Sequence, residues 1–247
     1  QALGTAHAVY CAADSLAGEV IIAFADTLFD SETVVSVEDA DSVIWLKEVE
    51  DPSRFGVAVH EGEKITGFVE KPTEPISRLA IIGVYYFKKG EDLKTEIKYL
   101  LDNNITGHGD EYQLTDALDR LLKKDNVFKS ASVDEWLDCG TLPAWLDTTK
   151  IIIEKENHTY DESKYLNSKI VPPVYIGENV TIENSTVGPY ASIGEGSKIS
   201  NSSINNSIVL NETSISGSEI INATIGNHVT VNDFKGETHL GDHSAIH

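Results

Sequence analysis

The chain has 247 residues, with 40 acidic and 19 basic side chains and a formal net charge of −21. Because nucleic acids and anionic membranes both need a basic face to bind, this charge excludes them as expected partners. A small phosphorylated substrate remains compatible, since a few cationic side chains and a divalent cation can reverse the field inside one cleft. The length suffices for one large domain or two smaller ones.

Cysteine usage and hydropathy indicate a soluble, cytoplasmic protein. Cys11 and Cys139 lie far apart, so neither a disulfide framework nor a structural zinc site is expected. No apolar run reaches the length of a membrane-spanning helix, and the start carries no signal-peptide pattern. The chain contains no Met and starts within a pattern at Gln1, so we expect it to be a piece of a longer protein.

The first 160 residues alternate between strand-like and helical patterns. Apolar spacing predicts helices over 6–16, 91–102 and 114–124. Apolar runs predict strands over 19–25, 42–49 and 80–87, and a β-ribbon over 55–69. Strands that alternate with helices favour a mainly parallel sheet covered on both faces.

Residues 161–247 instead carry a hexapeptide repeat. An aliphatic residue returns every six positions in three runs, which are Ile176 and Ile182, then Val187, Ile193 and Ile199, then Ile225 and Val231. This repeat is typical of a parallel β-helix, in which inward aliphatic side chains stack from coil to coil. About four coils are expected, and steps of five residues, as from Ile199 to Ile204, indicate imperfect coils. We therefore predict two domains, 1–160 and 161–247, with the β-helix as the surface of a homo-oligomer.

Polar residues with ligand chemistry mark the first domain from its start. Gly4 allows the backbone to approach a planar ring, and Thr5 can hydrogen-bond the edge of that ring. The same pair would also serve as a plain helix start. Asp26 follows a buried strand, and ligands of α/β sheets collect beyond the carboxyl ends of strands. It is therefore a candidate for a metal or phosphate site, or else a turn residue.

Glu70 and Lys71 stand side by side at the end of a strand that Pro72 stops. Such a pair can face one ligand from a fixed turn, although a surface ion pair would have the same sequence.

A later phrase, Glu111-Tyr-Gln-Leu-Thr-Asp116, precedes a helix, with Thr115 as its expected cap and Glu111 as a ligand candidate. Asp138 lies in the phrase Trp-Leu-Asp-Cys-Gly-Thr. Alone it would be a turn residue, but together with Asp26 it offers the oxygen ligands that Mg²⁺ prefers.

In their order and spacing these phrases, with the strand around Gly83, resemble those of the sugar-1-phosphate nucleotidylyltransferases. The hexapeptide tail resembles the left-handed β-helix of many members. The resemblance covers nearly all of residues 1–150. It implies an α/β fold with a Rossmann-like, GT-A-like mixed sheet and helices on both faces, followed by the β-helix.

The resemblance also implies roles for the nucleotide and metal side of a site. Gly4 and Thr5 would enclose the base. Asp26 and Asp138 would hold Mg²⁺, and Lys71 would contact the sugar phosphate as a third catalytic residue.

On the sugar side, the resemblance implies four binding residues. Glu70 and Glu111 would reach sugar hydroxyls, Gly83 would permit close approach of the sugar, and Tyr85 would line the pocket. Ile82 stands where the family often has Thr or another polar residue, which departs from the family pattern.

The implied reaction joins an NTP and a sugar 1-phosphate into an NDP-sugar and pyrophosphate, with dTTP or UTP and glucose 1-phosphate favoured. The sugar phosphate would attack the α-phosphorus in line, without a covalent enzyme intermediate. The family's Gly-rich phosphate-binding loop has no counterpart in the sequence.

Two alternatives stay open. In one, the β-helix is itself an acyltransferase, for which His228, His239, His243 and His247 are available. In the other, the protein is a regulatory subunit that binds sugar phosphates without turnover.

Overall fold

The computed structural model describes residues 3–32, 35–62, 64–74, 76–156 and 158–247. The chain divides into two compact units, Gln1–Leu137 and Asp138–His247. This division falls earlier than residue 160, and it assigns the helix over 142–156 to the second unit. The domain boundary at residue 160 stays a prediction.

The described part of the first unit contains helices α1 to α3 and strands β1 to β8. The helices are α1 Thr5–Tyr10, α2 Gly90–Asp102 and α3 Leu114–Leu122, with 3-10 turns at Ala13–Ser15 and His108–Asp110. The strands are β1 Val20–Ala23, β2 Thr27–Asp30, β3 Ser42–Glu48, β4 Gly56–Glu61, β5 Lys64–Glu70, β6 Leu79–Phe87, β7 Phe128–Ser132 and β8 Glu135–Asp138. Every predicted helix and strand has a counterpart, although α1 ends six residues early, whereas β2, β7 and β8 are not predicted from the sequence.

The sheet of the first unit has the order β5-β4-β6-β3-β7, and β1 also pairs with β6. β3 and β7 are parallel, whereas the other pairs described in this sheet are antiparallel. The sheet is therefore mixed, as the resemblance implies, and the prediction of a mainly parallel sheet is wrong. The reason is that β4 and β5 form a hairpin and β6 returns beside β4 without a helical crossover. A separate ladder joins β2 to β8.

The two faces of this sheet are covered differently. Along β6, Tyr85 and Phe87 point into the core with α1, α2 and α3. Ile82 points to the opposite face, where Trp45 and Trp136 lie. Within the described first unit, helices α1, α2 and α3 thus pack on the face of the sheet to which Tyr85 and Phe87 point.

Helix α3 is held to the sheet by one apolar stripe. Leu114, Ala117, Leu118 and Leu121 are all buried, at the spacing of a single helical face. Burying each leucine contributes about 1.5–3 kcal/mol. The stripe therefore fixes the rotation of α3 and, with it, the direction of the polar residues in its first turn.

The second unit begins with α4 Leu142–Glu156, which is not predicted from the sequence, and a 3-10 turn at Glu162–Lys164. Short strands follow, which are β9 Lys169–Ile170, β10 Val174–Ile176, β11 Thr181–Glu183, β12 Thr186–Val187, β13 Ala191–Ile193, β14 Lys198–Ser200, β15 Ser203–Asn205, β16 Ser207–Val209, β17 Ser214–Ser216, β18 Glu219–Ile221, β19 Thr224–Ile225, β20 Thr230–Asn232, β21 Lys235–Gly236, β22 His239–Leu240 and β23 Ala245–Ile246. They form three parallel five-stranded sheets. These are the three faces of the expected left-handed β-helix, which has five coils.

The coils are shorter than the sequence analysis assumes. Ile199 pairs with Ile215, and Ile215 with Val231, so one coil takes 16 residues here. Between Ile199 and Ile215 the buried inward positions are Ile204 and Val209, which gives steps of five, five and six. Steps of five are therefore regular corners rather than imperfections, and the shorter coil explains why five coils fit where about four are expected.

Columns of hydroxyl groups line the inside of the coil corners. The Ser202 N–H donates to Ser185 Oγ at 3.1 Å, and the Ser218 N–H donates to Ser202 Oγ at 3.0 Å. Ser202 Oγ in turn donates to the Ser200 carbonyl at 2.7 Å. Each buried hydroxyl thus satisfies a backbone donor of the next coil, which an apolar side chain could not do.

Among the residues that the structure describes, no helix is long and apolar enough to cross a membrane.

Candidate substrate site

Glu70, at the end of β5, is the most constrained of the predicted site residues. Its Oε2 accepts a 3.1 Å hydrogen bond from the Thr115 hydroxyl. A Cβ on Gly56, its partner across the strand pair, would lie 2.9 Å from both Glu70 Oε2 and Thr115 Cγ2. Burial raises the pKa of Glu70, and the Thr115 hydrogen bond and the Lys71 charge oppose this rise. The carboxylate is therefore held by Thr115, in a space that a side chain at position 56 would reduce.

Lys71 has an unusual backbone for a lysine. Its φ is +44°, in the left-handed region that L side chains seldom adopt. The Lys71 N–H donates to the Phe55 carbonyl at 3.0 Å, which ties this turn to the start of β4. Such strain persists only where the surroundings enforce it, and it concentrates at functional turns. The turn at Lys71, just after the end of β5, is therefore strained.

The start of α3 corrects the predicted role of Thr115. Thr115 is not the cap, because α3 begins at Leu114 and Thr115 is buried in the first turn. The Leu114 N–H donates to Thr5 Oγ1 at 2.9 Å, so the capping hydroxyl comes from a segment distant in sequence. Thr5 lacks a side-chain capping bond to its own helix α1, whose N-cap is Gly4.

The segment around Gly4 runs along the segment around Tyr112. The Tyr112 N–H donates to the Leu3 carbonyl at 2.8 Å, and the Ala6 N–H donates to the Tyr112 carbonyl at 2.9 Å. Gly4 has a φ of +105°, and a Cβ there would lie 2.5 Å from the Tyr112 carbonyl oxygen. The structure thus brings the predicted nucleotide residues beside the phrase that carries Glu111.

Gln113 organises the loop before α3. Its Nε2 donates to the His108 carbonyl at 2.9 Å and to Glu111 Oε2 at 3.3 Å. Its Oε1 accepts from the Thr5 hydroxyl at 3.3 Å. Gln113 is 2% exposed, so this buried amide fixes the predicted sugar ligand Glu111 relative to Thr5.

Asp116, in the first turn of α3, has a buried Oδ2 without a hydrogen-bond partner. A Cβ on Gly107 would lie 2.6 Å from this atom. Burial raises the pKa of Asp116, and the negative charge of Asp119 raises it further.

Gly83 and Tyr85 lie on β6. Gly83 has a φ of +85°, and a Cβ there would lie 3.1 Å from Phe24 Cβ and 3.2 Å from Thr27 Oγ1. The close approach at Gly83 is therefore made by the protein's own chain. Tyr85 is 4% exposed, with its ring 5.8 Å from that of Phe24. Burial and the charge of Glu70 both raise the pKa of Tyr85, so this residue stays neutral beside the Glu70 carboxylate.

The two predicted metal ligands lie in different units. Asp26 occupies the turn between β1 and β2, and β1 is antiparallel to β6, so the argument from parallel strand ends does not apply to it. Asp138 is the first residue of the second unit, and its Oδ1 accepts the Gly140 N–H at 2.9 Å. Carboxylate oxygens suit Mg²⁺. Within the described ranges, no three His, Cys, Asp or Glu side chains form a group that could hold a metal.

The histidines of the β-helix serve its surface. His228 and His243 stack with ring centroids 5.0 Å apart, and His228 Nδ1 lies 3.1 Å from Glu212 Oε2. His239 Nδ1 lies 2.9 Å from Thr224 Oγ1, and His247 Nδ1 lies 3.1 Å from an Asn232 nitrogen. The coil region over 169–246 is described throughout, and no long inserted loop interrupts it.

Sequence reasoning misses Gly56, Gln113 and Phe55. The ring of Phe55 packs edge-on against Trp136 at 4.8 Å, which joins the β4 start to β8. Gly56 is the first residue of β4, and glycine in a strand offers no side chain to pack. A glycine there can indicate close approach of another group, and this is the signal that identifies Gly56. Gln113 is a buried residue that lies between Glu111 and Thr115 in the sequence.

Comparisons with known proteins show the family of the chain. Residues 1–155 match the family model described as nucleotidyl transferase. The chain is 29% identical to the glucose-1-phosphate thymidylyltransferase of Streptomyces griseus, over 98% of this chain and 75% of that protein. It is 32% identical to the bifunctional protein GlmU of Clostridium perfringens, over 99% of this chain and 59% of that protein.

Among solved structures, a UDP-glucose pyrophosphorylase complexed with UDP-glucose shares the fold, with a TM-score of 0.51 and 24% identity over 63% of this chain and 64% of that one. The family model covers more than half of the present sequence. The chain belongs to the nucleotidyl transferase family.

Proposed function

We propose that the protein transfers a nucleotidyl group from an NTP to a sugar 1-phosphate, which yields an NDP-sugar and pyrophosphate. One observation carries this proposal. In the first turn of α3, the Leu114 N–H donates a hydrogen bond to the Thr5 hydroxyl, and the Thr115 hydroxyl donates one to Glu70. Residues proposed for the nucleotide and residues proposed for the sugar are thus held by a single helical turn.

The proposed chemistry needs orientation and charge neutralisation rather than a covalent enzyme intermediate. An oxygen of the sugar phosphate attacks the α-phosphorus of the NTP, and pyrophosphate leaves. Lys71 orients the attacking phosphate, while Glu70 and Glu111 accept hydrogen bonds from sugar hydroxyls. Asp26 and Asp138 would hold Mg²⁺, which when bound neutralises phosphate charge.

The remaining proposed residues shape the two ends of the site. Gly4 and Thr5 border the base, and the exact fit of Gly4 against Tyr112 supports a fixed backbone there. Gly83 and Tyr85 would line the sugar pocket, and the raised pKa of Tyr85 keeps it a neutral hydroxyl.

For substrates we favour dTTP or UTP with glucose 1-phosphate. The thymidylyltransferase relative is named for glucose 1-phosphate, and it aligns with nearly the whole chain. For the β-helix we propose a scaffold that joins copies of the chain, in a cytoplasmic protein. The uninterrupted coils support this role, because the faces of a solenoid are extended binding surfaces.

The test is pyrophosphate release by the full gene product with Mg²⁺, across four NTPs and a panel of sugar 1-phosphates. Lys71→Met should lower kcat/KM by about 100-fold or more, because a charge aimed at the reacting phosphate is lost. Lys88→Met, at an exposed lysine just after β6, is the matched control and should leave the rate unchanged. Asp138→Asn should abolish the Mg²⁺-dependent rate.

Release that requires one NTP and one sugar phosphate, and that falls in Lys71→Met but not in Lys88→Met, supports the proposal. Silence across the panel, despite measurable binding of a sugar phosphate, would replace it with the regulatory role.

A further inference from the structure

We propose that Thr115 is a positioning residue for the sugar site, whose hydroxyl holds the Glu70 carboxylate in the orientation that receives the sugar; the inference rests on the proposed function. The residue is distinct from the predicted sugar ligands, because its hydroxyl is directed to Glu70 and not assigned to substrate.

Thr115 and Glu70 are in direct contact. Thr115 Oγ1 donates to Glu70 Oε2 at 3.1 Å, between residues 45 positions apart in sequence. Thr115 is 5% exposed, so water does not compete for this hydroxyl. A bond to an ionised carboxylate in a shielded place is stronger than an ordinary neutral one.

The space around Thr115 and Glu70 is limited. The position that a Cβ on Gly56 would take is 2.9 Å from Glu70 Oε2 and 2.9 Å from Thr115 Cγ2. A side chain at position 56 would therefore require Glu70 or Thr115 to shift. With Oε2 engaged by the Thr115 hydroxyl, Oε1 is the oxygen that would receive the sugar.

The position of Thr115 is set by contacts of helix α3. The apolar stripe of α3 sets the rotation of the helix, and Thr5 Oγ1 accepts the Leu114 N–H immediately before Thr115. Neither constraint involves Glu70. The hydroxyl is therefore placed by the fold first, and the carboxylate adapts to it.

The Thr115 hydroxyl also affects the pKa of Glu70. Burial raises the pKa of Glu70, and the Thr115 hydrogen bond is the foremost of the interactions that oppose this rise. Removal of the hydroxyl should raise this pKa further, because only the ionised form gains from the donor. The consequence is a carboxylate that is both less ordered and protonated at a higher pH.

The experiment compares Thr115→Val, which keeps the shape and removes the hydroxyl, with Thr115→Ser, which restores it. The Glu70 carboxyl is titrated by ¹³C NMR in glutamate-labelled chain, with Glu70→Gln to assign its resonance. Calorimetric titration with glucose 1-phosphate between pH 5 and pH 8 gives the affinity. Thr95→Val, at an exposed threonine of α2, is the matched control. Should Thr115→Val not fold, Thr115→Ala provides the same comparison.

We expect Thr115→Val to raise the pKa of Glu70 and to weaken glucose 1-phosphate binding about tenfold, with the largest loss at the acid end. Thr115→Ser should restore both values, and Thr95→Val should change neither. A pKa of Glu70 that stays the same in Thr115→Val, or a serine variant that behaves like valine, overturns the inference. If no variant binds glucose 1-phosphate but the pKa follows the hydroxyl, the positioning of Glu70 by Thr115 stands and glucose 1-phosphate fails as the substrate of this chain.

Discussion

The β-helix and the α/β unit are stabilised by contacts of opposite kinds. In the β-helix each inward residue meets its counterpart one coil away, as Ile199 meets Ile215. In the α/β unit the decisive contacts join segments remote from each other, as Thr5 joins Leu114 and Thr115 joins Glu70. The first region repeats one contact many times, and the second uses each contact once. Stability in the coil is therefore distributed along the chain, whereas the site depends on a few individual hydroxyls.

The largest expected effect is a loss of stability on truncation of an inward side chain in the middle of the β-helix, compared with the same change in its last coil. Ile199 is 1% exposed, whereas Ile246 of the last coil is half-buried. We expect Ile199→Ala to lower the free energy of unfolding of the coil by about 3–4 kcal/mol and Ile246→Ala by less than about 1 kcal/mol. Hydrogen exchange of coil amides measures both values. Equal losses at the two positions would contradict the nearest-neighbour account.

Within the β-helix, the buried hydroxyl columns can be compared with exposed hydroxyls beside them. Ser202→Ala removes the acceptor for the Ser218 N–H while the side chain stays small. We expect a loss of about 1–3 kcal/mol, because a buried backbone donor is left unpaired. Ser203→Ala is the control, since Ser203 is exposed on the adjacent outward position. Urea denaturation should separate the two variants, and identical midpoints would argue that the column is incidental.

The smallest effect concerns Asp116 of the α/β unit. Its pKa is raised in the folded state, first by burial and then by Asp119, so the folded chain holds the proton more tightly than the unfolded chain. The stability from this group is complete below the unfolded pKa and is lost as the pH rises through the folded pKa. Asp116→Asn stays neutral throughout, and should gain up to about 1 kcal/mol at pH 7.

That gain should vanish near pH 4, where the wild-type carboxyl is itself becoming protonated. Asp14→Asn, at an exposed aspartate, should show no such pH-dependent difference. Urea denaturation at the two pH values is the measurement. A stability loss in Asp116→Asn at pH 7 would mean that the ionised carboxylate has a favourable role.

The sequence predicts the coil well because its signal is local. The inward positions recur every five or six residues, so the β-helix and its parallel sheets follow from spacing alone. A six-residue step predicts about four coils, whereas the mixed steps of five and six residues give five. The repeat of Ser185, Ser202 and Ser218 is also visible in the sequence, and it marks the coil length of 16 or 17 residues.

The site is only partly predictable, for a physical reason. The phrases around Glu70, Glu111 and Asp138 are visible, as are the helices and strands that carry them. The partners are not visible, because nothing in the local sequence shows that Thr5 caps α3 or that Gly56 lies against Glu70. Thr115 illustrates the limit, since its place near a helix start predicts a cap whereas the packed helix turns its hydroxyl to another strand. The sequence does not predict α4, because its apolar residues include the run Ile151 to Ile153, which spreads over more than one helical face.

The in-register stacking of the coils also has an evolutionary meaning. Because Lys198 to Ser200 pairs in register with Ser214 to Ser216, a deletion or duplication of one such stretch would leave every remaining column aligned. The inward residues and the corner hydroxyls would find equivalent neighbours on both sides of the junction. The length of this domain can therefore change by whole coils without a redesign of its core, so gene slippage in units of 48 nucleotides offers a route to longer or shorter relatives.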